Sequence, residues 1–438
     1  MVTRRTWHGL GKVMLFFLAL FVLGACGGRA TPTPTPAVPT KPRIPTPYAL
    51  QTPPSGWPPV ESLLPENAWL ALRVETPAGD RWTLLSEQKR DVLIDERSNQ
   101  LWVDQAQLWG RYRPFWYALL NQARFWDLTT PTYLTACEDC PTFGFVVRSP
   151  STGRPRGVWL RLRPFDAPPD VLPLLPLVHT LWLYGDVLRA TYPPGEFTSR
   201  TNPPETLTVD EGNVLRAVYG EALQETPQGY RVGAKVTPWV GPVIQGSFAR
   251  PGARERVALI GGVAPGSVID TENRPYLEVK LVLLRQEGES WRLVGASSPI
   301  AINVDRKNLG VGIDSVVDFD RDGRQEIVVM AGSLLPGYLD GVYRLYRWDG
   351  EALQQVWTAT GLYDNTSIPR QPDYATQVAW PLWQDQEGDG VDELVLRVVR
   401  RTYVRSDQTI AEIGQIARQT QSDVVYRWRG RGFMLASP

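Results

Sequence analysis

The nine residues Asp318-Phe319-Asp320-Arg321-Asp322-Gly323-Arg324-Gln325-Glu326 put acidic side chains at the first, third, fifth and ninth places of a short loop, with glycine at the sixth. That is the chemistry of a hard cation. Calcium takes roughly six to eight oxygens, and alternate residues of a tight loop can aim three carboxylates at one point. The carbonyl of Arg324 would add a backbone oxygen, and Glu326 could bind through both carboxylate oxygens. Glycine lets the chain turn sharply at low steric cost. Two carboxylates about 4 Å apart repel by about 4 kcal/mol at an effective dielectric of about 20. A loop with four acids therefore calls for a counter-ion.

The pattern recurs. Asp385-Gln386-Glu387-Gly388-Asp389-Gly390-Val391-Asp392-Glu393 repeats it with glutamate at the third place. Ser247-Phe248-Ala249-Arg250-Pro251-Gly252-Ala253-Arg254-Glu255 keeps the Phe, Arg, Gly and Glu of the first loop but has Ser, Ala and Pro where the carboxylates stood. This degenerate copy is expected to bind no metal. The starts lie roughly 70 residues apart, a spacing that points to stacked supersecondary units.

The elements that must carry these loops are strands. Each loop opens a β-branched or aliphatic run: Val257 to Ile260, Ile327 to Met330, Leu394 to Val399. A hairpin follows each run. Arg347-Trp348-Asp349-Gly350 leads to Ala352–Trp357, and Asp-Gly is a strong hairpin signal. Trp428-Arg429-Gly430 leads to Phe433–Leu435, and the run ending at Gly288 leads to Trp291–Val294. A fourth strand just before the next loop is expected, as in Gln377–Trp383. No helix pattern flanks the loops, which sets them apart from an EF-hand.

This arrangement resembles the FG-GAP/VCBS family of β-propeller repeats, whose calcium loop has the form Asp-x-Asp-x-Asp-Gly-x-x-Asp/Glu followed by Leu, Ile or Val. The resemblance covers the last half of the chain. It implies Ca2+ ligands at Asp318, Asp320, Asp322, Arg324 (by its carbonyl) and Glu326, and at Asp385, Glu387, Asp389, Val391 (by its carbonyl) and Glu393. It also implies a structural role, with the ion stiffening blade loops. Three units are fewer than a closed propeller usually has, which leaves an open array, an incomplete ring, or further blades within 206–245 as the alternatives.

The remaining 438-residue chain bounds this reading. Its formal net charge is zero, so nothing points to nucleic acid. Two His and three Cys leave little catalytic chemistry. Residues 1–25 read as an export signal: Arg4, Arg5 and Lys12, then an apolar run from Val13 to Leu23. The ending Leu23-Gly24-Ala25-Cys26 resembles the bacterial lipobox, which implies a lipid on Cys26 and anchoring to the membrane. Residues 26–61, rich in Thr-Pro, read as an extended spacer.

Residues 62–200 read as a small α+β domain. Strands are expected at Trp69–Glu75, Arg81–Ser86, Arg90–Ile94 and Gln100–Val103, and a hairpin at Phe143–Arg163. Helices are expected over Pro114–Trp126, where Phe115, Leu119, Ala123 and Trp126 recur at helical spacing, and over Leu174–Leu183. The order of elements resembles exported bacterial domains of the emfourin protease-inhibitor type. Cys137 and Cys140, in an exported chain, read as a disulfide; a redox role would want a helix start after the pair, where Pro141 stands. His179, among aliphatic residues, reads as a core histidine. Residues 206–438 are read as all-β repeats, with Asp210 and Glu211 as solvated turn residues. The expected fold is mainly β. The expected function is a non-enzymatic surface lipoprotein that binds a protein or glycan. An exported enzyme acting on polysaccharide and a protease inhibitor acting through the first domain are the alternatives.

Overall fold

The computed structural model describes residues 57–438 except 107–112, 136, 164–165, 200–203, 234–236, 263–277, 289, 303–309, 406–410 and 437–438. The segment read as an export signal and Cys26 lie outside the described residues. The fold is mainly β with some helix, in several sheets of which none is closed.

The first region is an eight-stranded sheet. Its centre is the antiparallel set β1 (Ala68–Glu75), β2 (Arg81–Glu87), β3 (Asp91–Asp95) and β4 (Gln100–Asp104), close to the expected bounds. The hairpin of β6 (Thr142–Arg148) and β7 (Pro155–Arg161) adds to β1. The short β5 (Thr132–Leu134) and β8 (Gly195–Phe197) join in parallel at the two edges. One face packs on Val60, Leu64 and Trp159. Val60 is buried and Trp57 stacks near Trp159, with ring centroids 4.4 Å apart, so packing begins within the last residues read as spacer.

The other face receives two helices. Helix α1 (Arg113–Gln122) stops a turn earlier than its apolar spacing predicts. Arg124 takes a left-handed φ of 52°, and Phe125–Asp127 continue only as a 3-10 turn. Helix α2 (Leu175–Thr191) runs two turns past its expected end at Leu183, because Asp186 and Arg189, polar residues that masked the pattern, have buried partners. Trp82 Nε1 donates to Asp186 at 3.2 Å, and Arg189 pairs with Asp95 at 3.0 Å. The ring of Trp82 lies where a Cβ on Gly185 would sit, 2.3 Å away, so only glycine admits it.

The rest is three four-stranded antiparallel meanders. The first is β11 (Trp239–Gly246), β12 (Glu255–Gly262), β13 (Glu278–Glu287) and β14 (Ser290–Ala296), with β15 (Ala301–Ile302) paired to β13. The second is β16 (Val311–Val317), β17 (Glu326–Leu335), β18 (Tyr338–Trp348) and β19 (Leu353–Asp364). The third is β20 (Ala375–Gln384), β21 (Glu393–Arg405), β22 (Ala411–Trp428) and β23 (Phe433–Leu435). Each acidic loop, or its degenerate copy, joins the first two strands of a meander, and the fourth strand expected before each loop is present. The second and third meanders join through only three residue pairs, Leu362↔Val378 to Asp364↔Thr376.

One helix stands inside the region read as all-β. Helix α3 (Glu211–Tyr219) corrects the reading of Asp210 and Glu211 as turn residues. Asp210 is its N-cap, accepting from Gly212 N at 2.8 Å, and Glu211 accepts from Val240 N at 2.9 Å. An N-cap aspartate is what an orphan first-turn N–H asks for. After α3, a small hairpin of β9 (Leu223–Thr226) and β10 (Gly229–Val232) precedes the first meander.

A single apolar cluster runs from Trp82 and Phe115 through Leu181 and Trp182 to Tyr343, Trp380 and Tyr403. Helix α2 therefore lies between the first sheet and the second and third meanders. His179 is buried as read, its Nδ1 3.0 Å from Thr366 Oγ1. Arg401 pairs with Asp186 at 2.7 Å over the Trp182 ring. These contacts, with the Leu334 N to Gln122 Oε1 bond at 2.8 Å, involve the ends of the meanders away from the acidic loops.

Candidate metal centre

The loop between β16 and β17 is shaped by its own backbone. Gly323 takes φ +81°, and the sixth-place glycines Gly252 and Gly390 take +70° and +89°. These are left-handed values that favour glycine. The fourth place is also left-handed in both acidic loops, at Arg321 (+54°) and Gly388 (+71°). The internal bonds match position for position. Gly323 N donates to Asp318 Oδ2 at 3.0 Å and Arg324 N to Asp322 Oδ1 at 2.8 Å; Gly390 N donates to Asp385 Oδ2 at 3.2 Å and Val391 N to Asp389 Oδ1 at 2.9 Å.

Asp318, Asp320 and Asp322 converge, with one carboxylate oxygen of each within 4.8 Å of the others. Four oxygens here are buried without a hydrogen-bond partner: Asp318 Oδ1, Asp320 Oδ1 and both oxygens of Glu326. The Glu326 residue is 1% exposed. Burial pushes its pKa up to about 8; the charge of Arg347 works against that rise, and Asp320 adds to it. Burial also acts to raise Asp322, but bonds from Arg324 and the nearby charge of Arg347 hold it below the usual carboxylate range. Buried polar atoms are normally bonded, and four without a bond lie in this one loop.

Part of the counter-charge comes from within the chain. Arg347, on β18, donates Nη1 to Asp320 Oδ2 at 2.7 Å and Nη2 to Asp322 Oδ2 at 2.8 Å. Its Nε lies 3.6 Å from Glu326 Oε1. Arg324 also bonds Asp322. The sequence reading missed Arg347. A signal existed: Arg285, Arg347 and Arg427 each stand three residues before the turn glycine of their hairpin, Gly288, Gly350 and Gly430. Pairings such as Glu255↔Arg285 and Ile327↔Tyr346 bring this arginine beside the loop's ninth residue.

The second acidic loop is more open. Among the described residues, its acids do not form a convergent group like the first loop's. Glu387, half exposed, reaches out to Arg427 at 2.8 Å. Asp385 Oδ1 is buried and unpartnered. Glu393 Oε2 accepts from Gln386 N at 2.7 Å, which leaves it fewer free lone pairs than the sequence reading assumed.

The degenerate loop shows what the ninth-place glutamate does without acids around it. Glu255 Oε2 accepts from Phe248 N at 2.9 Å and Ala249 N at 2.6 Å, while Oε1 takes Arg285 at 2.6 Å. The residue is a clasp across the loop mouth before it is a ligand.

The loops also hold one another. Gln325 N donates to Ser247 O at 2.7 Å, and Asp392 N to Phe319 O at 2.7 Å. Phe248 and Phe319, at the second place, are fully buried; Phe319 packs against Trp428 and Phe433, with centroids 5.1 and 4.9 Å away. In the last loop that place is the exposed Gln386. Beside the first acidic loop is a cleft of about 450 Å³ lined by Arg324, Arg347, Gln354, Trp428 and Arg431, among others.

Elsewhere, Cys137 and Cys140 are joined by a disulfide, with Cα atoms 5.4 Å apart. Among the described residues no helix is long and apolar enough to cross a membrane. No protein-family model, curated protein or solved structure matches this chain.

Proposed function

We propose that this chain is a non-enzymatic, lipid-anchored surface protein whose blade-like repeats are stiffened by calcium and bind a protein or glycan partner. The observation that carries the calcium reading is the set of four unpartnered, buried carboxylate oxygens in the loop 318–326. Asp318, Asp320, Asp322 and one oxygen of Glu326 would hold the ion, with the Arg324 carbonyl. The ion would bring two positive charges and oxygen coordination to a turn that is already formed. The acids of the second loop, drawn outward by Arg427, would bind more weakly.

The cleft beside the loop supports the partner reading. Arginines beside an indole suit an acidic sugar or an acidic peptide segment, because guanidinium groups pair with carboxylates and sulfates in two-bond geometry. A polysaccharide-cleaving enzyme would call for two free acids across such a cleft. Here the acid at its wall is Asp349, which accepts from Glu351 N and Ala352 N in its own turn. The lipid on Cys26 rests on the sequence, as does the export that places the protein outside the cytoplasm.

The test is a melting curve of the full chain in calcium and in chelator. At calcium 100-fold above its Kd, linkage stabilises the fold by about 2.7 kcal/mol. Asp320→Ala combined with Glu326→Ala should remove the difference. Melting that ignores chelator would end the calcium reading. Binding to an array of acidic and neutral glycans, with Arg431→Ala as the cleft variant, addresses the partner.

A further inference from the structure

The same arginine appears in all three blades, and it does not make the same bonds in each. In the blade without loop acids, Arg285 gives both Nε and Nη2 to Glu255 Oε1, at 3.1 and 2.6 Å. In the blade of loop 318–326, Arg347 gives Nη1 and Nη2 to Asp320 and Asp322, and its Nε is left 3.6 Å from Glu326. In the last blade, Arg427 gives Nη2 to Glu387 at 2.8 Å, and its Nε is again 3.6 Å from the strand glutamate, Glu393. Loop acids, where they exist, have drawn the guanidinium away from the strand glutamate.

We propose that Arg347 is a built-in counter-ion that occupies the acidic loop when no metal is bound, and that a divalent cation displaces it from Asp320 and Asp322 onto Glu326. This inference rests on the calcium reading of the loop. Three observations carry it. Four carboxyl groups face only two guanidinium groups, Arg324 and Arg347. Glu326 is buried with its nearest guanidinium nitrogen 3.6 Å away, whereas its counterpart Glu255 takes Arg285 on Oε1 at 2.6 Å, with two backbone N–H groups on Oε2, in the blade whose loop has no other acids. The move is short. The Arg347 guanidinium lies over the rings of Phe319 and Trp428, Cζ being 5.2 Å from each centroid. With its stem in place, the fork needs only to turn from the loop toward Oε1 of Glu326. The cation would then hold Asp318, Asp320 and Asp322, and Glu326 would give one oxygen to the arginine, as Glu255 does.

Such an exchange makes the arginine a competitor. It protects the loop from self-repulsion without metal and weakens the affinity for metal by the cost of its own displacement. It also makes cation binding visible at Trp428, over whose ring the guanidinium lies.

The experiment is calorimetric titration of the full chain with calcium chloride, for wild type, Arg347→Met and Arg347→Lys. Methionine keeps the apolar stem over the two rings and removes the charge. Arg347→Met should bind calcium roughly tenfold tighter or more, the equivalent of losing about one charge-assisted bond from the metal-free state. Arg347→Lys, with a point charge and no fork, should fall between. Tryptophan emission of wild type should shift as calcium saturates, and the shift should vanish in Trp428→Phe. If Arg347→Met binds calcium no tighter than wild type, the exchange is wrong and the calcium reading stands. If none of the proteins takes up calcium, the calcium reading fails and this inference with it. Should Arg347→Met not fold, Arg347→Lys and the emission decide: wild-type emission unmoved at calcium saturation overturns the exchange.

Discussion

Loops 247–255 and 318–326 join the same pair of strands in neighbouring meanders and differ at five of nine side chains, three of them the places of the acids. Both have a sixth-place glycine with left-handed φ, a buried phenylalanine at the second place, a buried glutamate at the ninth and an arginine from the third strand. Where the first has Ser247, Ala249 and Pro251, the second has Asp318, Asp320 and Asp322. In the first, every glutamate oxygen is bonded. In the second, the arginine bonds Asp320 and Asp322 and lies 3.6 Å from its glutamate, and four carboxylate oxygens have no hydrogen bond. The turn is therefore a property of the glycine, the clasp and the plug. Two of the acids, Asp318 and Asp322, also accept from N–H groups of the turn. Beyond that they add negative charge around a buried glutamate, the feature on which the proposed calcium site rests.

The comparison can be broken most forcefully at the plug. If Phe319 holds blade to blade independently of metal, Phe319→Ala should cost about 3–5 kcal/mol in denaturant unfolding, equally in calcium and in chelator. Phe248→Ala should do the same. A loss confined to calcium buffer would mean that the plug depends on the ion. The clasp sharpens the contrast next. Glu255→Gln should destabilise by about 1.5–3 kcal/mol, because charge-assisted bonds to two N–H groups and to Arg285 weaken. Glu326→Gln in chelator should cost little, since burial already favours the uncharged acid, which the amide mimics.

The pH dependence gives that contrast a sign. The folded-state pKa of Glu326, about 8, lies above its ordinary value of 4.5. The folded chain holds the proton more tightly there. Without calcium, this contribution to stability is full below the ordinary value and is lost as pH rises through about 8. Chelator melts across that range should show the slope in wild type and lose it in Glu326→Gln. The smallest effect is expected from the bridge between neighbouring loops. Arg321, 58% exposed, reaches Asp385 and Asp392 at 3.2 and 3.4 Å. Arg321→Ala should cost no more than about 1 kcal/mol, less in high salt.

Much of the architecture was legible because its signals are local. Alternation marked β1 to β4, Asp349-Gly350 marked the turn between β18 and β19, and the recurring nine-residue loop marked three repeated units. Helix lengths were misjudged for non-local reasons. Helix α1 ends early at a left-handed Arg124, and α2 continues because Asp186 finds Arg401 and Trp82 far along the chain. The cap role of Asp210 was legible in principle; a short, weakly apolar helix hid it. In the candidate site, the acids were legible by spacing, whereas Arg347 was not, since it lies outside the loop and meets it only across a strand pair.

The sequence by itself determined the turn, the repeat and the placing of carboxylates, because those depend on residues within a few positions of one another. The tertiary structure decided the charge balance: which carboxylate oxygens are sealed from water, which cation reaches them, and which are left without one. Those outcomes depend on burial and on cross-strand distances of a few ångströms, and spacing along a chain does not encode either.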